Sequence, residues 1–142
     1  MKKLKTLALA SLIGIGSLFS ISESAEASTI VNWSPWKSVT DAGIDCKVRI
    51  GTDAYTYTTG ATTVDYQIQS NGKCSRLYYK AFPTSDIYQL GYFSYNTPIK
   101  SFLIDAFAPS GRLLTTMDAN LYTDSARTDY AGLVSTSITI YN

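Results

Sequence analysis

The chain has 142 residues, twelve Lys and Arg against eleven Asp and Glu, 45% hydrophobic residues and no histidine. Without imidazole there is no Ser-His-Asp or Cys-His relay and no histidine-rich zinc site. A net charge of +1 gives no electrostatic footprint for nucleic acid and no polybasic attraction to anionic lipid.

Met1-Lys2-Lys3-Leu4-Lys5, the apolar run from Leu7 to Phe19 and the small-x-small site Ala25-Glu26-Ala27 together predict a secretory signal peptide over residues 1–27. The apolar run is too short for a membrane anchor, and Ser11, Gly14, Gly16 and Ser17 interrupt it. No cysteine stands at the cut, so a lipid anchor is not expected. Cleavage leaves residues 28–142 as a single domain, with no membrane span, released to the exterior or to a periplasm. Three lysines and two glutamates leave with the signal, so the mature chain carries nine cations, nine anions and no glutamate. Glycosidases built on a glutamate pair are thereby excluded.

Thr29 to Trp33 reads as an entering strand stopped at Ser34-Pro35, where proline suits a strand end or edge. Trp33-Ser34-Pro35-Trp36 resembles the opening of a thrombospondin type 1 repeat, but the six cysteines and layered arginines of that family are missing. Ile44, Cys46, Val48 and Ile50 alternate with Asp45, Lys47 and Arg49, a strand with one wet face. Val64, Tyr66 and Ile68 alternate in the same way up to Ser70-Asn71-Gly72-Lys73, which predicts a two-residue hairpin with Tyr66 facing Leu77 and Val64 facing Tyr79. That register turns Cys74 outward while Cys46 faces the core. A bulge, a bridge around the sheet edge, or two separate thiols would each resolve the conflict. An oxidising compartment favours a Cys46–Cys74 disulfide.

Ile87 to Asn96 is strand-like and aromatic. Ile99 to Phe107 reads as an apolar strand, turned by Ala108-Pro109-Ser110-Gly111 into a second hairpin with Arg112 to Met117. Asp118 to Asp129 is polar and is expected to be the longest loop, and Val134 to Ile140 closes the fold by alternation. Seven to nine short strands with no helical periodicity after the signal predict an all-β, antiparallel β-sandwich, Ig-like or fibronectin-like in outline. A small barrel or jelly roll is the alternative.

No catalytic residue, metal ligand set or cofactor motif is assigned. Asp118, Asn120, Asp124 and Asp129 in one loop, or Asp41, Asp45 and Asp53 in another, would suit calcium only weakly, because the spacing lacks the EF-hand pattern. Eleven tyrosines are the remaining signal, since exposed tyrosine gives contact area at low entropic cost. Trp33, Trp36, Tyr88, Tyr92 and Tyr95 are the candidate ligand-contact aromatics. The expected function is non-enzymatic binding of a cell-surface carbohydrate or protein. An enzyme inhibitor or membrane-active toxin is the alternative, with an aspartate-based hydrolase behind it.

Overall fold

The computed structural model describes residues 28–107 and 111–141. The expected signal peptide and the Ala108-Pro109-Ser110 part of the second expected turn lie outside them. Ten strands follow in chain order: β1 Asn32–Trp33, β2 Lys37–Ser38, β3 Lys47–Thr52, β4 Thr56–Tyr57, β5 Thr63–Ser70, β6 Leu77–Phe82, β7 Gln89–Phe93, β8 Lys100–Leu103, β9 Arg112–Tyr122 and β10 Tyr130–Tyr141. They form the expected sandwich. One sheet has the order β1-β3-β5-β8, with β2 beside β3; the other has the order β4-β10-β9-β6-β7. Every pairing is antiparallel except that of β4 with β10. Seven strands have four residues or more, so the excess over the expected count lies in the two-residue pieces β1, β2 and β4.

Alternation decides which side chains meet. Val64, Tyr66 and Ile68 of β5, with Val48 and Ile50 of β3, face Leu77, Tyr79 and Ala81 of β6, Met117, Ala119 and Leu121 of β9, and Val134, Ile138 and Ile140 of β10, all of them buried. Polar residues fill the positions between, which leaves each sheet a wet outer face. Asn32 ties the sheets together inside: its Nδ2 donates to Thr52 Oγ1 at 3.0 Å and to the Ser137 carbonyl at 2.9 Å, and the Thr136 hydroxyl donates back to Asn32 Oδ1 at 3.2 Å.

Two expected hairpins are not formed. β5 pairs with β3 and β8, whereas β6 pairs with β7 and β9, so Tyr66 does not face Leu77 across a ladder. Each of β5 and β6 has a single apolar face, and placing them in opposite sheets lets those faces meet through the core. The Asn71-Gly72 turn is instead the start of an arch between the sheets. Gly72 takes φ 84°, as the turn chemistry requires. Asn71 turns its side chain to β3, accepting from the Lys47 amide at 3.2 Å and donating to the Asp45 carbonyl at 2.8 Å. Because Cys74 lies in this arch and not in a strand, the apparent conflict over its direction disappears. Cys46 and Cys74 are joined, with Cα atoms 4.7 Å apart. Ile44 is 89% exposed, since β3 begins only at Lys47.

The second expected hairpin fails for a related reason. Only Lys100–Leu103 is strand, paired to β5, and Ile104–Phe107 tightens into a 3-10 turn that buries Ile104, Ala106 and Phe107 where the chain leaves the first sheet. β9 pairs with β10 and β6. It also runs on through Tyr122, because Asp118 and Asn120 are outward positions alternating with Met117, Ala119 and Leu121. The expected long loop therefore shrinks to residues 123–129.

Two of the core tyrosines carry a measurable signature. Burial, then the neighbouring Tyr79, pushes the Tyr66 phenol far above its usual value; burial, then a hydrogen bond to Asp53, does the same for Tyr57. The unfolded chain releases these protons at about pH 10, so stability falls as pH rises above that point. Spectrophotometric titration is expected to show Tyr57 and Tyr66 ionising only as the fold opens. Eleven phenols titrating together without loss of near-UV circular dichroism would contradict this.

Candidate functional site

The outer face of the β10-β9-β6-β7 sheet assembles tyrosines that lie far apart in the chain. Tyr92 on β7 stands opposite Tyr78 on β6, Tyr78 opposite Tyr122 on β9, and Tyr122 opposite Tyr130 on β10. Four tyrosines thus form a row across four adjacent strands. At a strand spacing of about 4.8 Å the row extends roughly 14 Å. The Tyr78 and Tyr92 rings are 6.0 Å apart, and Tyr122 meets Tyr130 edge-on at 6.0 Å, the tilted geometries that aromatic quadrupoles favour. Tyr92 and Tyr130 are 60% and 55% exposed.

Cations border the row. The Arg76 guanidinium lies 4.7 Å from the Tyr92 ring centroid, and the Lys80 ammonium lies 4.4 Å from that of Tyr88, both within cation–π range. Gly91 keeps β7 close to β6: a Cβ there would lie 2.5 Å from the Tyr79 hydroxyl.

The 123–129 loop closes one end of the face. Arg127 holds φ 55° and passes its guanidinium across to β6 and β7, where Nε donates to the Tyr79 carbonyl at 3.0 Å and Nη2 to the Gly91 carbonyl at 2.9 Å. Asp124 fixes the loop by accepting from the Thr128 hydroxyl at 2.5 Å and from the amides of Thr128 and Asp129 at 3.0 and 2.8 Å. These bonds, that of the Thr128 hydroxyl first, lower the Asp124 carboxyl below the usual carboxylate range. The sign follows: loop order is complete above the unfolded carboxylate value and is lost as pH falls through the lower folded one. Amide exchange at Thr128 and Asp129 is expected to accelerate below about pH 4 before the sheets open. Unchanged protection in an Asp124→Asn variant would contradict this.

The expected contact aromatics divide into three places. Tyr88 and Tyr92 join the tyrosine face. Trp33 and Trp36 lie on the opposite sheet, where the Arg49 guanidinium stacks 4.2 Å from Trp33 and 4.4 Å from Trp36 and gives two donors to Gln69 Oε1. An arginine therefore does layer with these tryptophans. Gly51 makes room for it, since a Cβ at that position would lie 2.7 Å from the Trp33 ring. Tyr95 belongs to neither patch; its ring packs over Gly72 of the arch. Tyr78, Tyr122 and Tyr130 complete the row. Of these, Tyr78 alone falls in an outward position of an expected strand; Tyr122 falls in the expected 118–129 loop and Tyr130 before the expected closing strand.

An apolar cleft of about 440 Å³ opens between the edge strands β7 and β8, lined by Ile87, Tyr88, Gln89, Phe102, Leu103 and Ala106 among others. Among the described residues no group of three or more Asp or Cys side chains lies close enough to hold a metal ion. Asp118 stands in β9, hydrogen-bonded by Ser135, away from the Asp124 loop, so the calcium cluster considered from sequence is not assembled. What this surface offers chemically is flat aromatic area with cations beside it.

A search of solved structures returns no match. The chain is similar to the cell wall-binding protein YqgA of Bacillus subtilis (strain 168), with 41% identity over 87 residues covering 56% of this chain and 58% of that protein. The alignment thus spans less than two thirds of either chain. A family model, the YqgA MG2 macroglobulin domain, matches residues 25–141, a range that contains every strand of the sandwich. The chain belongs to the YqgA MG2 macroglobulin domain family.

Proposed function

We propose that this protein, once exported and freed of residues 1–27, binds polysaccharide of the cell wall without transforming it, and that the tyrosine face of β6, β7, β9 and β10 is the binding surface. The carrying observation is the register that aligns Tyr92, Tyr78, Tyr122 and Tyr130 across four strands. A sugar ring presents an apolar face that stacks on aromatic rings, and a row of rings at strand spacing suits an extended polymer better than one small molecule. The relative's description as a cell wall-binding protein supports the same reading.

The Trp33–Arg49–Trp36 stack is the weaker candidate, because it sets two rings around one arginine where the other sheet aligns four rings across adjacent strands. Co-sedimentation of the mature protein with purified insoluble cell walls tests the proposal. Binding is expected to saturate, to survive Trp36→Ala and to weaken when the tyrosine row is cut. Protein that stays in the supernatant at every wall concentration would overturn it.

A further inference from the structure

The composition of the tyrosine face narrows the ligand further, to a wall polymer whose repeat carries an anionic group; this rests on the proposed binding surface. Arg76 immediately precedes β6, and from it the outward side chains run Arg76, Tyr78, Lys80, so the Tyr78 ring has a cation two residues away on each side. That is about 6.6 Å in either direction along the strand. Arg76 and Lys80 lie against the rings of Tyr92 and Tyr88, and among the described residues neither forms an ion pair with a carboxylate. β7, the neighbouring strand, has no charged residue. The third cation here, Arg127, is different: its guanidinium is spent on the carbonyls of Tyr79, Ser125 and Gly91 and holds the loop.

Anions are placed elsewhere on this sheet. Asp118 stands opposite Phe82, at the far end of β6, and takes the Ser135 hydroxyl. Asp124 is engaged within its own loop. On β9 the outward neighbour of Tyr122 is the amide Asn120, which faces Lys80 in the ladder. Asp86 lies in the turn that joins β6 to β7, beyond Lys80 from the row, and strands β6 and β7 themselves carry no acid, while Arg76 and Lys80 flank Tyr78. The geometry points to an acidic glycopolymer lying along the tyrosine row, its rings or polyol units stacked on Tyr78 and Tyr122 and its phosphate or carboxylate groups reaching Arg76 on one side of the row and Lys80 on the other. A cation resting on a tyrosine ring is held in place yet keeps donors toward solvent, so an incoming anion meets a preorganised partner.

The test uses the mature protein and three soluble probes: polyglycerol phosphate, a polyuronate and a neutral β-glucan. Measurements are made at two salt concentrations fourfold apart, on the unaltered chain and on Arg76→Gln/Lys80→Gln, with thermal melts confirming that both are folded. Binding to one or both acidic polymers is expected, weakening roughly five- to tenfold over the salt step, as release of counterions from two contacts predicts. The double variant should lose most of this binding and nearly all of the salt dependence. Binding to polyglycerol phosphate alone would assign the anion as phosphate, and binding to the polyuronate alone would assign it as carboxylate; either supports the inference. Equal, salt-insensitive binding of the neutral glucan by both proteins would overturn it and leave the tyrosine face standing as a neutral-sugar site. Binding of acidic polymer that survives Tyr78→Ala/Tyr122→Ala but not the charge variant would keep the anion contacts and refute stacking on the tyrosine row.

Discussion

Replacing Tyr78 and Tyr122 together by alanine is expected to weaken attachment to cell walls by roughly 30-fold or more, while the melting temperature drops by only a few degrees. The two residues are the inner members of the row, each flanked by a tyrosine on the next strand, so a polymer that uses the face at all must cross them. Truncating a central aromatic in a binding surface costs about 1–2 kcal/mol, and about 2 kcal/mol for the pair corresponds to some 30-fold in affinity. Stability responds less because the rings stand outside the core. Only cross-strand contacts are lost, at about 0.2–1 kcal/mol each.

Tyr55 provides the matched control. It is 63% exposed and sits away from the row, its hydroxyl donating to the Val31 carbonyl. Tyr55→Ala should therefore leave wall binding unchanged. Equal losses from Tyr55→Ala and from the double variant would show that tyrosine acts by general stickiness and not by its placement.

The difference between that row and the residues expected to form the site shows what the sequence could convey. Alternation in 64–69 and 134–141 reveals strands and the side of each that is wet, and hence the sandwich, because a strand's two faces are written in adjacent letters. Strand partnership is written nowhere locally. Asn71-Gly72 specifies a tight turn with positive φ and nothing about where the chain goes next, so the nearest-neighbour hairpin it suggests gives way to an arch. The row needs three such partnerships at once, β7 with β6, β6 with β9 and β9 with β10. Tyr88 and Tyr92 were legible as outward aromatics on one strand, whereas their alignment with Tyr122 and Tyr130 exists only after folding. Asp118 and Asn120 misled in the opposite direction. Their polarity suggested a loop, although alternate polarity is what a solvated strand face requires.

Breaking the Cys46–Cys74 bridge is expected to be the most destabilising single covalent change. The two cysteines are 28 residues apart in sequence, and in the chain-entropy model closing a loop of that size contributes about 3.5 kcal/mol by restricting the unfolded chain. For a domain of this length that corresponds to a fall in melting temperature of roughly 10–15 °C. The double alanine variant is the cleaner test, because Cys46 is fully buried and a serine there would bring a hydroxyl into the core. Neither reduction nor the alanine pair should abolish wall binding below the new transition. Once folded, the arch is still held by Asn71 on the 45–47 segment and by Ser75, whose amide donates to the Ala42 carbonyl at 2.8 Å. Tyr78 itself is fixed from both sides by the β6–β7 and β6–β9 ladders. The bridge thus stabilises the chain chiefly through its unfolded state and the binding face through none of its own contacts. Two titratable thiols in the purified protein, or a melting temperature indifferent to reducing agent, would refute the first part. Loss of wall binding by reduced but folded protein would refute the second.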